Sequence, residues 1–400
     1  MRFSPEFRST ILTLTASTLA GALSGFIAGW IAAGASFDLS NPAATSTGAY
    51  PAFQASTGTP SAPEVTVISV DRKPSEPIMP PAFVERRSSS MATVYRKSAA
   101  RKIAEENLLT DDRMLGQAVA VTSDGWFAMP RALLDGLHFS DLVIWHDGGT
   151  ATATRAVSDR MSGVVFVKTD LGGLTAPALA RLHDVSVGLP VWVERRPRYF
   201  EPRNVAAQTT PVASLDGTSS EIANRRPVAG GVAATGDLGA AVWSTNGNLI
   251  GFASSAPGEP LRFIPTTAWA QSLQSLLSNN EARHAFLGAR SVDLSALRLE
   301  QTEPRQTGEL LPERGAWLRD DKRNKKPAVD RNSPAAMAGL RAGDVIQKID
   351  RDIIDGSAEI AEFLAEYKPK AQVTLTVLRG KETLEVPVTL GSIVTSEELK

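Results

Sequence analysis

Asn332-Ser333-Pro334-Ala335-Ala336-Met337-Ala338-Gly339-Leu340-Arg341-Ala342-Gly343-Asp344-Val345-Ile346 decides the fold of the C-terminal part of this chain. Ser333-Pro334 starts a short helix, because proline is pre-set for the first helical position. Gly339 and Gly343 permit tight turns, and Val345 to Ile349 reads as a core strand. Downstream, Ser357 to Tyr367 has helical spacing, with Ile360, Phe363, Leu364 and Tyr367 on one face. It lies between the runs Gly343 to Asp350 and Ala371 to Leu378, so a single helix packed on a small sheet is expected. The last residues, Thr395 to Lys400, are polar and are expected to fray, which makes 392–400 a tail.

N-terminal to this module the pattern is mainly β. Ala92-Thr93-Val94-Tyr95 reads as a first strand, and the charged stretch from Lys97 to Arg113, with Ala100, Ile103, Ala104 and Leu108, as an inserted surface helix. Short runs follow: Leu115 to Val121, Trp126 to Met129, Leu142 to Trp145, Val164 to Lys168, Pro190 to Glu194 and Leu249 to Ala253. Turn signals such as Ser123-Asp124-Gly125 and Asp147-Gly148-Gly149 separate them, which predicts an all-β sandwich or barrel.

The stretch from Ser9 to Phe37 carries no charge and contains an apolar run from Ile11 to Ala35, where roughly 20 residues suffice to span a bilayer. Arg2 and Arg8 precede it, so residues 1–37 read as a cytoplasmic stub and transmembrane signal-anchor, with the bulk of the chain outside. Ala33-Gly34-Ala35 has the small-x-small form of a cleavage site, and a removed signal peptide is the competing reading. Gly21, Gly25 and Gly29 form a stripe suited to close helix approach. Residues 38–90, rich in Pro, Ser, Thr, Ala and Gly, read as a flexible linker.

Four hundred residues call for more than one core. A net charge of -1 gives no basic excess for phosphate backbones, so nucleic acid is not an expected partner. Zero cysteines exclude thiol catalysis, disulfides and thiolate metal sites. His138, Asp141, His146 and Asp147 match no metal-ligand spacing. Neither a metal nor any other cofactor is expected. The Asp111-Asp112 and Asp320-Asp321 pairs read as solvated loop charges.

Gly236-Asp237-Leu238-Gly239-Ala240-Ala241-Val242 resembles the Gly-Asn/Asp-Ser-Gly-Gly-Pro-Leu nucleophile loop of trypsin-like serine proteases, with Leu238 where the serine belongs. Met129-Pro130-Arg131-Ala132-Leu133-Leu134-Asp135-Gly136 is similar to the Thr-Asn-x-His-hydrophobic-hydrophobic-Asp-Gly segment of the high-temperature-requirement A (HtrA) proteases, with Ala132 at the histidine. Asp159 to Lys168 resembles their Asp-x-x-x-Asp-Leu-Ala-Val-Leu-Lys, with Gly163 at the orienting aspartate. Gly116 to Gly125, Ile144 to Gly148, Val187 to Trp192 and Asn246 to Gly251 continue the match in order. The Asn332 to Ile346 stretch resembles the PDZ signature, and Phe286-Leu287-Gly288-Ala289 and Arg314 to Leu318 match its upstream strands.

The resemblance implies a trypsin-like double β-barrel domain over 91–278 followed by an α+β PDZ domain over 281–391. It implies a peptide groove in which Phe286, Leu287, Gly288 and Ala289 present backbone donors to a C-terminal carboxylate and Ile360 lines the side-chain pocket. It also implies an oligomer, trimers being common in the family. With Ala132, Gly163 and Leu238 in place of base, acid and nucleophile, the expected protein is a degenerate, inactive member. Such a protein is anchored in the inner membrane with its domains in the periplasm or outside the cell, binding exposed peptide termini or protein partners. An active serine endopeptidase with a nonstandard site is the alternative. His138 and His146 lie near the expected base and read as exposed or core-edge residues.

Overall fold

Strands form where the sequence alternates β-branched and aromatic residues between glycine turns, and the computed structural model describes residues 89–97, 109–208, 215–297 and 311–399. The signal-anchor, the linker up to residue 88 and residues 98–108 of the expected surface helix lie outside the described residues. Among the described residues no helix is long and apolar enough to cross a membrane.

The first β unit contains β1 (Met91–Arg96), β2 (Met114–Ala120), β3 (Trp126–Pro130), β4 (Leu142–His146), β5 (Gly149–Thr152), β6 (Arg155–Asp159) and β7 (Val164–Lys168). They pair antiparallel in the order β6-β7-β3-β2-β1-β4-β5. The second contains β8 (Pro190–Arg196), β9 (Tyr199–Gln208), β10 (Thr218–Ser219), β11 (Pro227–Val232), β12 (Ala241–Ser244), β13 (Leu249–Ala253) and β14 (Pro260–Pro265). All but β10 close into a six-stranded barrel, β11-β14-β13-β12-β8-β9. Trp126, Phe166, Trp192, Trp243, Phe252 and Trp269 share one buried cluster, so the two units have a common core. Helix α1 (Ala270–Asn279) follows and buries Leu273 and Leu276 there.

The C-terminal domain has β15 (Arg283–Phe286), β16 (Arg290–Asp293), β17 (Ala316–Leu318), β18 (Val345–Ile349), β19 (Asp352–Ile353), β20 (Gln372–Arg379), β21 (Glu382–Thr389) and β22 (Gly391–Val394). Its main sheet runs β16-β17-β18-β20-β21, and β15 pairs with β22. Helix α2 (Pro334–Met337) is capped by Ser333, whose hydroxyl accepts the Ala336 N–H, as the Ser-Pro pair predicts. The expected helix from Ser357 to Tyr367 shortens to α3 (Ile360–Ala365). Glu359 caps it, with Glu362 accepting the Glu359 N–H, so the helix cannot begin earlier. Tyr367 instead donates its hydroxyl to Asp350.

The C-terminus departs from the expected fraying. A last strand, β23 (Ser396–Glu398), pairs with β6 at the open edge of the first β unit. Arg155 and Arg131 form ion pairs with Glu398 and Glu397 across it. The unpaired edge of β6 recruits a polar segment that no hydrophobic alternation announces.

Candidate functional site

Two places gather the residues singled out by the sequence. The first is the region beside β2 and β3. After β3 the chain enters a short 3-10 turn, Arg131–Leu134, which buries Leu133 and Leu134 and exposes Ala132. The Arg131 N–H donates to the Gly163 carbonyl at 2.9 Å, and Pro130 faces Val164 in the β3–β7 ladder. Ala132 and Gly163 therefore stand on adjacent backbones at the same end of one strand pair. Gly163 has φ +75°, a left-handed conformation that glycine adopts freely.

Leu238 arrives from the other β unit between Gly236 and Gly239, both at positive φ. A Cβ built on Gly239 would lie 1.9 Å from the Gln117 carbonyl oxygen, and one on Gly116 would lie 2.2 Å from that of Leu238. Only glycine lets these backbones meet, and the Gln117 N–H donates to the Leu238 carbonyl at 2.9 Å. The half-buried Leu238 side chain packs against the cluster that contains Leu133, Leu134, Leu115 and Phe139. The Met114 methyl presses on Gly236. The Asp237 carboxylate is buried, accepting the Ala234 N–H at 2.7 Å beside the Arg195 guanidinium at 3.4 Å. Ala132 and Gly163 are thus linked through the Arg131–Gly163 backbone bond, Leu238 packs on the cluster that holds Leu133 next to Ala132, and the three positions offer no hydroxyl, imidazole or carboxylate.

The four histidines are engaged elsewhere. His138 Nδ1 contacts the Ser140 hydroxyl, and the ring stacks on Phe139. His146 Nε2 lies 2.8 Å from the Ser89 carbonyl. His183 pairs with Asp352 at 3.3 Å. His284 is buried with its Nε2 2.7 Å from Asp159. Asp159 is a centre the sequence reading missed, accepting also from the Ser162 and Ser272 hydroxyls. Burial opposes its ionisation, but His284, Thr395 and Ser162 hold its carboxyl down at about 2. Among the described residues no group of three or more His, Asp or Glu side chains is placed to hold a metal ion.

The second place is the loop between β15 and β16, near the start of α3. Phe286-Leu287-Gly288-Ala289 links β15 to β16, with Leu287 and Ala289 in the domain core beside Ile360 at the start of α3. Gly288 has φ +75°, and a Cβ there would come within 2.3 Å of the Ser333 Cβ. The loop's backbone donors meet a group that the sequence reading did not single out. The Leu287 and Gly288 N–H groups donate to Glu221 Oε1 at 3.1 and 2.8 Å, and the Ala289 N–H donates to the Ser220 hydroxyl at 3.2 Å. The charged stretch from Asp320 to Lys326 closes on itself through paired backbone bonds between Asp321 and Lys326.

Comparison with known proteins agrees with this architecture. Residues 311–390 match the PDZ domain family. Over 312 residues the chain is 22% identical to the serine endoprotease DegS of Haemophilus influenzae, covering 76% of this chain and 84% of DegS. With the periplasmic pH-dependent serine endoprotease DegQ of Escherichia coli it is 29% identical over 167 residues, 40% of this chain and 34% of DegQ. Among solved structures, the HtrA-type protease AlgW with decapeptide has the same fold, at a TM-score of 0.50 and 19% identity, over 78% of this chain and 98% of AlgW.

Proposed function

From the premise that this chain is a relative of the HtrA-type, trypsin-like serine proteases that carry a PDZ domain, we propose that it is a pseudoprotease that binds peptides. It is tethered to the inner membrane by its N-terminal segment, and its folded domains work in the periplasm, the compartment in the name of its relative DegQ. There it recognises exposed or C-terminal peptides through the PDZ groove and acts as a scaffold, sensor or regulator in envelope protein quality control, within a homo- or hetero-oligomer.

The observation that carries this reading is Leu238, held in a glycine-flanked loop against β2 and packed on apolar neighbours. Serine-type acyl transfer needs a hydroxyl to attack, a base to take its proton and a carboxylate to orient the base. Leu238, Ala132 and Gly163 offer none of these. Without a nucleophile no acyl-enzyme forms, whatever the backbone of the loop does for an oxyanion.

The test is casein cleavage and fluorophosphonate labelling by the detergent-solubilised full chain, beside the triple replacement Leu238→Ser, Ala132→His, Gly163→Asp. The expected wild type is inert to both. Cleavage gained by the triple variant ties the three positions to one site, and aspartate is among the residues that best tolerate the left-handed backbone at 163. Cleavage by contaminant-free wild type overturns the reading in favour of an active serine endopeptidase with a nonstandard site.

A further inference from the structure

The peptide groove is already filled by the chain itself. β10 adds to the edge of β16, antiparallel, with Thr218 opposite Ser291 and Ser219 opposite Arg290. The Ser220 N–H extends the ladder by donating to the Ala289 carbonyl at 3.0 Å. Running in this direction, the segment delivers the Glu221 carboxylate onto the Leu287 and Gly288 N–H groups. The Ser219 and Ser220 hydroxyls brace that carboxylate at 2.5 and 2.6 Å. Strand addition ending in a carboxylate on backbone donors is how a groove of this type takes a free C-terminus. Here the side chain of an internal glutamate supplies the carboxylate.

The same segment also grips the opposite wall. The Asn224 and Arg225 N–H groups donate to the Glu359 carboxylate at 2.7 and 3.4 Å, at the start of α3. The Arg225 guanidinium reaches the Gly356 carbonyl before α3 at 2.7 Å and turns back to Asp293 at the end of β16 at 3.0 Å. Gly217 is required where the segment enters, because a Cβ there would lie 2.1 Å from the Arg319 carbonyl oxygen. Edge strand, carboxylate-binding loop and helix start are thus all engaged by nine consecutive residues, 217–225.

We propose that Gly217 to Arg225 is a built-in ligand of the groove, with Glu221 in the place of a C-terminal carboxylate, and that external peptides with a free C-terminal carboxylate bind by displacing it. The displacement rests on the peptide-binding reading above. An occupied groove lowers apparent affinity by the fraction of time it is closed, so a segment seated nine-tenths of the time weakens binding about tenfold.

The experiment compares detergent-solubilised full-length wild type with Glu221→Ala by two readouts. One is amide hydrogen exchange at 287–291 without peptide. The other is fluorescence polarisation with a fluorescein-labelled decapeptide pool randomised at its last three positions, prepared as free acid and as carboxamide. The expected variant exchanges faster at Leu287 and Gly288 and binds the free-acid pool about tenfold or more tightly than wild type, while the carboxamide pool binds neither. Unchanged exchange with equal free-acid affinity overturns the built-in ligand and leaves peptide binding standing. Faster exchange with no binding of either pool supports the built-in contact and overturns both displacement and the peptide-binding reading. Glu221→Gln, which keeps the side-chain volume, repeats both arms if Glu221→Ala melts early.

Discussion

At Gly239 one added methyl group would overlap the Gln117 carbonyl oxygen, in a backbone conformation of φ +81°. Gly239→Ala is therefore expected to cost about 2–4 kcal/mol in chemical denaturation, through strain and overlap together. Gly163→Ala has open space and pays for its φ alone, about 1 kcal/mol. The sequence made Leu238 and its flanking glycines legible, since their order is enough for a resemblance. It could not reveal what the second glycine touches, because Gln117 lies over a hundred positions away. Glu194 was equally hidden. It reads as the polar end of a strand, yet it is buried and accepts the Trp243 indole N–H at 2.9 Å. Burial pushes its carboxyl from 4.5 up to about 7, against hydrogen bonds from Arg198 and Trp243. A raised folded value means that its contribution is fully present below pH 4.5 and is lost as pH rises through 7. Glu194→Gln still accepts the indole N–H and removes that slope. Its stability relative to wild type is expected to rise by on the order of 2–3 kcal/mol between pH 4.5 and 8, read from denaturation at several pH values. Glu362, also pushed up to about 7 by burial, titrates in both proteins and cancels from the comparison.

Among elements, those whose residues carry their own pattern were read correctly from sequence. Leu249 to Ala253 and Val345 to Ile349 form strands with the expected limits, and Ser333-Pro334 opens a helix as proposed. Elements created by a partner were not. β23 is a strand because β6 offers it an edge, and β10 is a strand because β16 does. Neither Ser-Glu-Glu nor Thr-Ser has a hydrophobic face to announce it. The same holds for the groove: the Phe286 to Ala289 loop was legible from its motif, whereas its occupant sits in a polar stretch without periodicity. The C-terminal strand gives a direct test. Removing residues 396–400 deletes the β6 pairing and the ion pairs of Arg131 and Arg155, which are solvent-exposed and each worth little. Backbone pairing and the packing of Leu399 on the core dominate. The truncated protein is expected to lose about 1–3 kcal/mol, where a frayed tail would lose nothing, and thermal melting of the two proteins decides between them.

At the scale of the molecule, boundaries drawn at 278 and 281 separate two sequence patterns that the folded chain ties together. Leu182, from the β-rich region, is buried in the core of the C-terminal domain, and its N–H donates to Glu366 at 2.6 Å. Asp159 at the end of β6 holds His284 of β15, with Ser272 of α1 on the same carboxylate. Segment 217–225 is the third tie. A buried hydrogen bond to a charged group broken on one side costs about 1–3 kcal/mol or more, and a buried leucine cut to alanine about 2–5 kcal/mol. Ties of that size are comparable with the stability of a whole domain, so the folded part of the chain should unfold as one unit. Calorimetry of wild type at neutral pH is expected to give a single transition, and Asp159→Asn with Leu182→Ala to split it in two. Acid should act in the same direction. The Asp159 carboxyl is held at about 2 against 3.8 when free, so its contribution is present above pH 3.8 and is lost as pH falls from 3.8 through 2. Two transitions in wild type at neutral pH, or one merely shifted transition in the double variant, would mean that the ties are packed but do not couple the domains. In that case displacement of the 217–225 segment by a peptide would stay a local event in the groove.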